Sequence, residues 1–314
     1  MPEKPLGEKL QSIPRWVLYV VLIAVTSIPL FITISVPNKP TESTIDLFAR
    51  LSEIEPGSTV LIASDWTNST RGESGGHFES LIRILMRRDV KFAIYSTADP
   101  QAPQVAMDAM ARLNAERQRT NQRVYERWND YLILGYLPNA EAAGQAIANN
   151  FRAAFSSKRE VAPDGAERDV FQSPVLQKYS KLSDFPLLVI VTASKTSTVS
   201  IERFAKTVPI ALMVTGVMGP ESYVYYASGQ VVALAAGLKG VYDMETMMEV
   251  GVNLDSPGSV KAEKYAGKQF ANFAGQPNTG NGARYYPTLH AALTLLILAV
   301  IIGNVGVALS RRRG

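Results

Sequence analysis

The chain has no cysteine. That removes disulfides, thiolate metal sites and cysteine nucleophiles, and leaves the redox compartment undecided. Histidine is almost as scarce, with His77 and His290 alone among 314 residues. A histidine-built zinc site would need sharing between molecules or several added carboxylates, so no metal is expected. The phosphate-binding patterns GxxxxGK[ST] and GxGxxG are missing, as is the GxSxG of a nucleophile elbow. The run 68–73 shares hydroxyl content with a flavodoxin phosphate loop and no more, so neither flavin nor any other cofactor is expected. With His77 the sole histidine of the central region, a Ser-His-Asp triad has no base to spare.

An excess of charge over the body of the chain is also lacking. The formal net charge is +4, and it resides in the tails: +1 in the first 15 residues and +3 from Arg311, Arg312 and Arg313. Between them 26 basic side chains face 26 acidic ones. A basic pI that comes from two tails gives no footprint for nucleic acid, which is set aside as a partner.

Long apolar runs are present. Residues 16–36 and 289–309 are two stretches of 21 without a charged side chain, each long enough for a hydrocarbon core of about 30 Å. Trp16 and Tyr19 flank the first, and Tyr285 and Tyr286 precede the second, where amphipathic rings meet the membrane interface. Pro29 should kink the first helix. That run is too long for a signal-peptide core and lacks a small-x-small cleavage site, which favours a retained anchor. The arginine cluster holds the second span's end in the cytoplasm, and the basic N-terminus agrees. The expected layout is a cytoplasmic tail 1–15, a span 16–36, an extracytoplasmic domain 37–286, a span 289–309 and a cytoplasmic tail 310–314. The lipid bilayer of the cytoplasmic membrane is thus the first expected partner.

The central region alternates strands with helices. Strands are expected at 59–63, 90–95, 131–137, 185–191 and 209–217, the last a nearly unbroken apolar run of the kind covered on both faces. Phe78, Leu81, Ile82 and Leu85 have helical spacing, as do Ala143, Ile147, Phe151 and Phe155, and Ile201, Phe204, Ala205 and Val208. Further helices are expected at 43–54 and 104–119. Residues 156–174, with Pro-Asp-Gly, read as an exposed excursion, 256–274 as helical and 276–286 as a tether. The pattern predicts an α/β fold, a doubly wound, mostly parallel five-stranded sheet of the flavodoxin or Rossmann kind, flanked by the two spans.

In such sheets ligands bind beyond the carboxyl ends of the strands. Those ends are 65–70, 137–139, 194–197 and 215–216, which makes Asp65, Asn68, Glu73, Ser194 and Thr215 ligand-binding candidates, with Ser228 and Gln230 added from the segment after the fifth strand. Capping of a helix explains Asp65 and Glu73 equally well. After the fifth strand, Gly229, Ala233, Gly237 and Gly240 recur at spacings of four, four and three, which places them on one face of an expected helix. Such a face packs on the chain's own sheet or meets another subunit or a ligand. Asp243 and Glu245 then carry charge where the dipole of that helix disfavours it. In the second span Asn304, beside Gly303 and Gly306, needs a bonding partner, from the first span or from another protein's helix.

The segments DYLILGYLPNAEAA, PVLQKYSKLSDFPLLVIVTAS and YVYYASGQVVALAAGLKGVYDME resemble an uncharacterised family of bacterial two-pass membrane-anchored α/β proteins. Ser228, Gly229, Gln230, Gly237, Leu238, Gly240, Glu245, Gly303 and Asn304 carry the likeness, and Asp243 departs from it. The resemblance implies fold and placement and supplies no activity. The layout is also similar, by architecture, to auxiliary subunits of gliding-type ABC transporters. The expected function is a non-enzymatic subunit or scaffold of a membrane complex, with a membrane protein or a second copy as partner; the alternative is an extracytoplasmic ligand-binding or sensing domain. A hydrolase or transferase would lack a recognisable catalytic set, so no catalytic residue is nominated.

Overall fold

A computed structural model describes residues 6–32, 34, 36, 39–252, 262–268, 270–278 and 280–311. The chain forms two compact units, one of Met1–Pro37 with Ala283–Gly314 and the other of Asn38–Gly282. The elements in chain order are α1 (Leu6–Gln11), α2 (Arg15–Phe31), α3 (Glu42–Glu53), β1 (Thr59–Asp65), α4 (Gly76–Arg87), β2 (Lys91–Ser96), α5 (Ala102–Arg119), β3 (Tyr131–Tyr136), α6 (Ala140–Asn149) and α7 (Phe151–Ala154). There follow β4 (Arg159–Val161), β5 (Glu167–Asp169), β6 (Leu188–Thr192), α8 (Ser197–Phe204), β7 (Ile210–Val214), α9 (Gly219–Ala227), β8 (Ala233–Ala236), α10 (Gly237–Val250) and α11 (Asn281–Arg311).

The larger unit is built on a six-stranded sheet of order β3-β2-β1-β6-β7-β8, every pairing parallel. Strand alternation divides its core in two. Val60, Ile62 and Trp66 pack with Phe48, Phe78, Leu81 and Met244 on one face, while Leu61 and Ala63 pack with Phe151, Phe155, Phe185 and Phe204 on the other. All seven residues of β1 are buried, as a strand must be when helices cover both sides.

The expected five strands are therefore six, and the error lies after β7. The stretch expected as a loop is α9, which tolerates Pro220 in its first turn because that position has no hydrogen bond to lose. The expected glycine-rich helix is instead a turn, the strand β8 and the start of α10. Gly229, Ala233, Gly237 and Gly240 consequently share no helical face. Gly229 sits in the turn at φ +76°, Ala233 pairs with Ala211, and Gly237 opens α10 at φ +61°. Gly240 faces the sheet, where an added Cβ would lie 2.9 Å from the carbonyl carbon of Ala235. Asp243 and Glu245 lie mid-helix rather than at its end. Lys239 pairs with Asp243 at 2.6 Å, one turn apart.

The excursion 156–174 is exposed only at its tip. It forms the hairpin β4–β5, and Ala162, Val170 and Phe171 behind the tip are buried in the second core. Of the segment 256–274, residues 256–261 and 269 lie outside the described ones; the rest holds a single 3₁₀ turn, Ala262–Tyr265. This stretch straps the first helix of the unit: Lys264 bonds Glu42 and Asp46, Tyr265 bonds Asp46, and Lys268 bonds Glu53. The expected tether is shorter than 276–286, since α11 already begins at Asn281, and Asn278 before it is buried with its amide donating to the carbonyls of Met248 and Phe273.

In the smaller unit, α11 is the one helix among the described residues that is long and apolar enough to cross a membrane, with 31 residues and a mean hydropathy of 2.5 over its apolar window. The helix in the first apolar run, α2, has 17 residues rather than the expected 21. Gly7 of α1 packs on the last turns of α11, where an added Cβ would lie 2.9 Å from the carbonyl oxygen of Gly306.

Two glycines allow a graded test in the larger unit expressed alone. Gly229→Ala forces alanine into the left-handed region with open space around it, at a cost of about 1–2 kcal/mol. Gly237→Ala carries the same strain and also brings a Cβ to 3.0 Å from the Cα of Gly216. The melting temperature should fall for both, by roughly 2–4 °C per kcal/mol, and further for Gly237→Ala. Equal losses would remove the close approach from the account.

Candidate functional site

Strand order reverses at β1, so the crevice of a doubly wound sheet lies between the carboxyl ends of β1 and β6. The chain after β1 passes through a 3₁₀ turn, Asn68–Thr70, and a π turn, Arg71–Gly75, before α4. After β6 comes the hydroxyl-rich turn 193–197. Both loops were expected at this edge, and both are there.

Their side chains are largely engaged within the fold. Asp65 is buried at the end of β1, and its Oδ1 accepts from Ser96 Oγ at 2.8 Å, Thr97 N at 2.8 Å and Ala98 N at 3.2 Å. Burial raises its pKa above the ordinary carboxylate value, against the pull of those donors. Asp65 thereby ties the end of β1 to the loop after β2. Glu73 Oε2 accepts from the N–H of Gly216 at 2.6 Å, linking the β1 loop to the end of β7. Ser194 Oγ accepts from Thr196 N at 3.3 Å, and Thr215 donates its N–H to the carbonyl of Thr192 at 3.4 Å. Asn68 is exposed.

Ser228 and Gln230 lie elsewhere. They are in the turn leading into β8, at the amino edge of the sheet, and with Gly229, Glu202 and Lys206 they line an open cavity of about 390 Å³. A second cavity of about 410 Å³, lined by Asn150, Arg152, Lys181 and Thr207, opens on the same edge. Neither adjoins the crevice. Glu245 is buried in α10 and accepts from the N–H of Gly282 at 3.1 Å, so it holds the start of α11. Asn304 is exposed on α11, so its amide is not covered by α2.

Sequence reasoning missed a polar cluster beneath the first loop. Ser64 and Trp66 of β1, Ser74 of the π turn and His77 of α4 are all buried, and Ser64 Oγ, Trp66 Nε1, Ser74 Oγ and both His77 ring nitrogens lack hydrogen-bond partners. The ring of His77 lies against the backbone of Val214 and Gly237 without hydrogen-bond geometry at either nitrogen. The signal available in the sequence was the polar run Ser64–Ser74 opening an otherwise apolar helix. Groups of three or more histidine, aspartate or glutamate side chains placed to hold a metal are absent among the described residues.

The two ends of the larger unit also meet this edge. Thr41, ahead of α3, donates its N–H to Asp243 at 3.1 Å, and Lys239 Nζ reaches the carbonyl of Lys39 at 2.7 Å. At the other end the chain rises between α4 and α10: Asn278 beside Met248, Gly280 beside Arg83 and Glu245, Asn281 beside Gly76. Gly76 and Gly237 begin the helices that follow β1 and β8, so both exits are at the carboxyl edge.

Burial lowers the pKa of His77 from 6.5 to about 4. The unfolded chain takes up a proton near pH 6.5 that the native ring refuses until about pH 4. His77 therefore adds no penalty above pH 6.5, and stability falls as pH drops through that window, by up to about 3 kcal/mol. Equilibrium unfolding at pH 7 and pH 4.5 should show His77→Gln losing less stability on acidification than the parent. Equal losses would mean that the ring is charged, or solvated, in the native state.

No family model, no curated protein and no solved structure matches the chain.

Proposed function

We propose that this chain is a membrane-anchored, non-enzymatic subunit of a membrane protein complex, presenting its α/β unit outside the cytoplasm. The observation that carries the reading is α11, an apolar helix of 31 residues with 6% of its apolar window buried. A helix apolar all round and uncovered by its own chain finds its natural solvent in lipid. The three arginines after it favour a cytoplasmic end, and the basic N-terminus supports the same side for the start of α2. Asn304, exposed in a span, supports a partner helix that satisfies its amide. The carboxylates at the strand ends support a structural role, because Asp65 and Glu73 accept hydrogen bonds from the fold itself.

A ligand-binding reading has one observation in its favour, the partnerless polar atoms of Ser64, Trp66, Ser74 and His77. Buried polar atoms of that kind ordinarily find water or a ligand. Their complete burial favours internal water over an exchangeable ligand.

The absence of cysteine makes both tests clean. After gentle detergent extraction the protein should elute with a stoichiometric partner, and Asn304→Leu should weaken that association. Elution as a lone monomer would reject the subunit reading. In intact spheroplasts an impermeant maleimide should label Ala166→Cys at the exposed hairpin tip and spare a cysteine appended after residue 314. The opposite labelling would invert the topology.

A further inference from the structure

The carboxyl edge carries one conspicuous apolar side chain. Val217, in the 3₁₀ turn after β7, is 90% exposed. A single exposed valine needs no explanation on an arbitrary surface. This one stands on the edge where both ends of the unit leave. Around it are polar loops that carry hydroxyls and cations: Asn68, Ser69 and Arg71 after β1, and Lys195 after β6. Arg71 is exposed and forms no ion pair among the described residues, while Lys195 is held only at 3.4 Å by Glu221 on the surface. Glu73, the acidic side chain of the first loop, is turned inward on Gly216. The edge thus shows outward a valine, hydroxyls and an unpaired guanidinium.

Chain length limits what this edge can face. Gly282 is bonded into the unit through Glu245, and the apolar run of α11 starts seven residues later at Leu289. At a rise of about 1.5 Å per residue, that is roughly 10 Å along the helix axis, less than the depth of a headgroup layer and its hydration. An edge held that close to the start of a span has a bilayer surface as its nearest neighbour.

We propose that the carboxyl edge of the sheet docks on an anionic lipid surface, Val217 entering the headgroup layer and Arg71 and Lys195 pairing with lipid phosphates. Arg71 offers the planar donor set that suits phosphate oxygens, and clustered cations beside a span are drawn to anionic lipid within a Debye length. The inference rests on the membrane anchoring proposed above, and on that reading it gives the crevice between β1 and β6 a lipid surface rather than bulk solvent at its mouth.

The test uses the full chain in vesicles. Val217→Cys and, on the amino edge, Ser183→Cys are each labelled with an environment-sensitive fluorophore and exposed to lipids carrying a nitroxide near the headgroup. In vesicles containing phosphatidylglycerol, the label at position 217 should lose most of its emission and the label at 183 little. Zwitterionic vesicles, or Arg71→Gln with Lys195→Gln, should restore much of the emission at 217. Failure to quench at 217 in chains that resist carbonate extraction overturns the docking and leaves the anchor standing. A label at 217 that is shielded equally in detergent and lipid, without quenching, means that protein covers the edge, and overturns it too. Quenching indifferent to lipid charge and to both substitutions removes the phosphate pairing. Release of the chain by carbonate defeats the anchor first, and the docking with it.

Discussion

The tightest constraint in the larger unit is the meeting of Gly216 and Gly237. The two backbones approach so closely that an added Cβ on Gly237 would lie 3.0 Å from the Cα of its neighbour, and Gly237 adopts φ +61° to achieve it. The Glu73 carboxylate closes the junction from the β1 loop. Because the junction fixes where α10 begins, it fixes everything that α10 holds. Lys239 and Asp243 fall where they bind the backbone of residues 39 and 41, and Glu245 falls where it binds Gly282. A helix started four residues earlier, as the glycine spacing suggests, would turn each of these groups elsewhere.

Much of the sheet was legible because its five long strands are β-branched or continuous apolar runs, a pattern that survives any tertiary context. β8 was not legible. Its sequence ALAA lacks a β-branched side chain, and the small residues around it repeat at a helical interval by coincidence of three separate needs: a turn, a close backbone approach and packing against Ala235. α9 was hidden by Gly-Pro, which reads as a loop and serves equally as a helix start. Of the site, the strand-end loops could be placed from the sequence, since topology alone puts them together. The partners could not. Glu73 and Gly216 are 143 residues apart, and a carboxylate beside glycines in a polar loop carries no mark of which backbone it will meet. Ser228 and Gln230 went to the opposite edge for one reason: an unseen strand carries the chain back across the sheet after them.

Electrostatics at the strand ends are arranged for tying the fold rather than for exchanging protons. Asp65 spends its lone pairs on three donors of the β2–α5 connection, and burial holds its pKa up. Hydrogen bonds to a carboxylate oppose that rise, so the two effects partly offset each other. His77 beneath them is driven the other way by the same desolvation. An acid pushed up and a base pushed down resemble a tuned catalytic pair, yet they belong to opposite faces of the sheet: Asp65 bonds the connection on the side of Leu61 and Ala63, and His77 lies on α4 over Ile62. A sheet between two groups prevents proton transfer between them, whatever their pKa values.

Glu245 has the remaining structural consequence. A buried carboxylate is expensive unless its charge is met by donors or cations. Here the first turn of α11 supplies a backbone N–H, and Arg83, itself bonded to Glu116 at 2.8 Å, supplies positive charge. A negative group at a helix N-terminus favours the helix by about 0.3–1 kcal/mol at a surface and by up to ~2 when partly buried. The interaction works in both directions: α11 cannot unwind its first turn without stranding Glu245, and α10 cannot shift without withdrawing the cap. The long apolar helix therefore starts inside the α/β unit as a continuation of its packing rather than as an appendage on a flexible linker. In the anchored reading, any tilt of that helix is applied directly to α10, and through Gly237 to the carboxyl edge of the sheet.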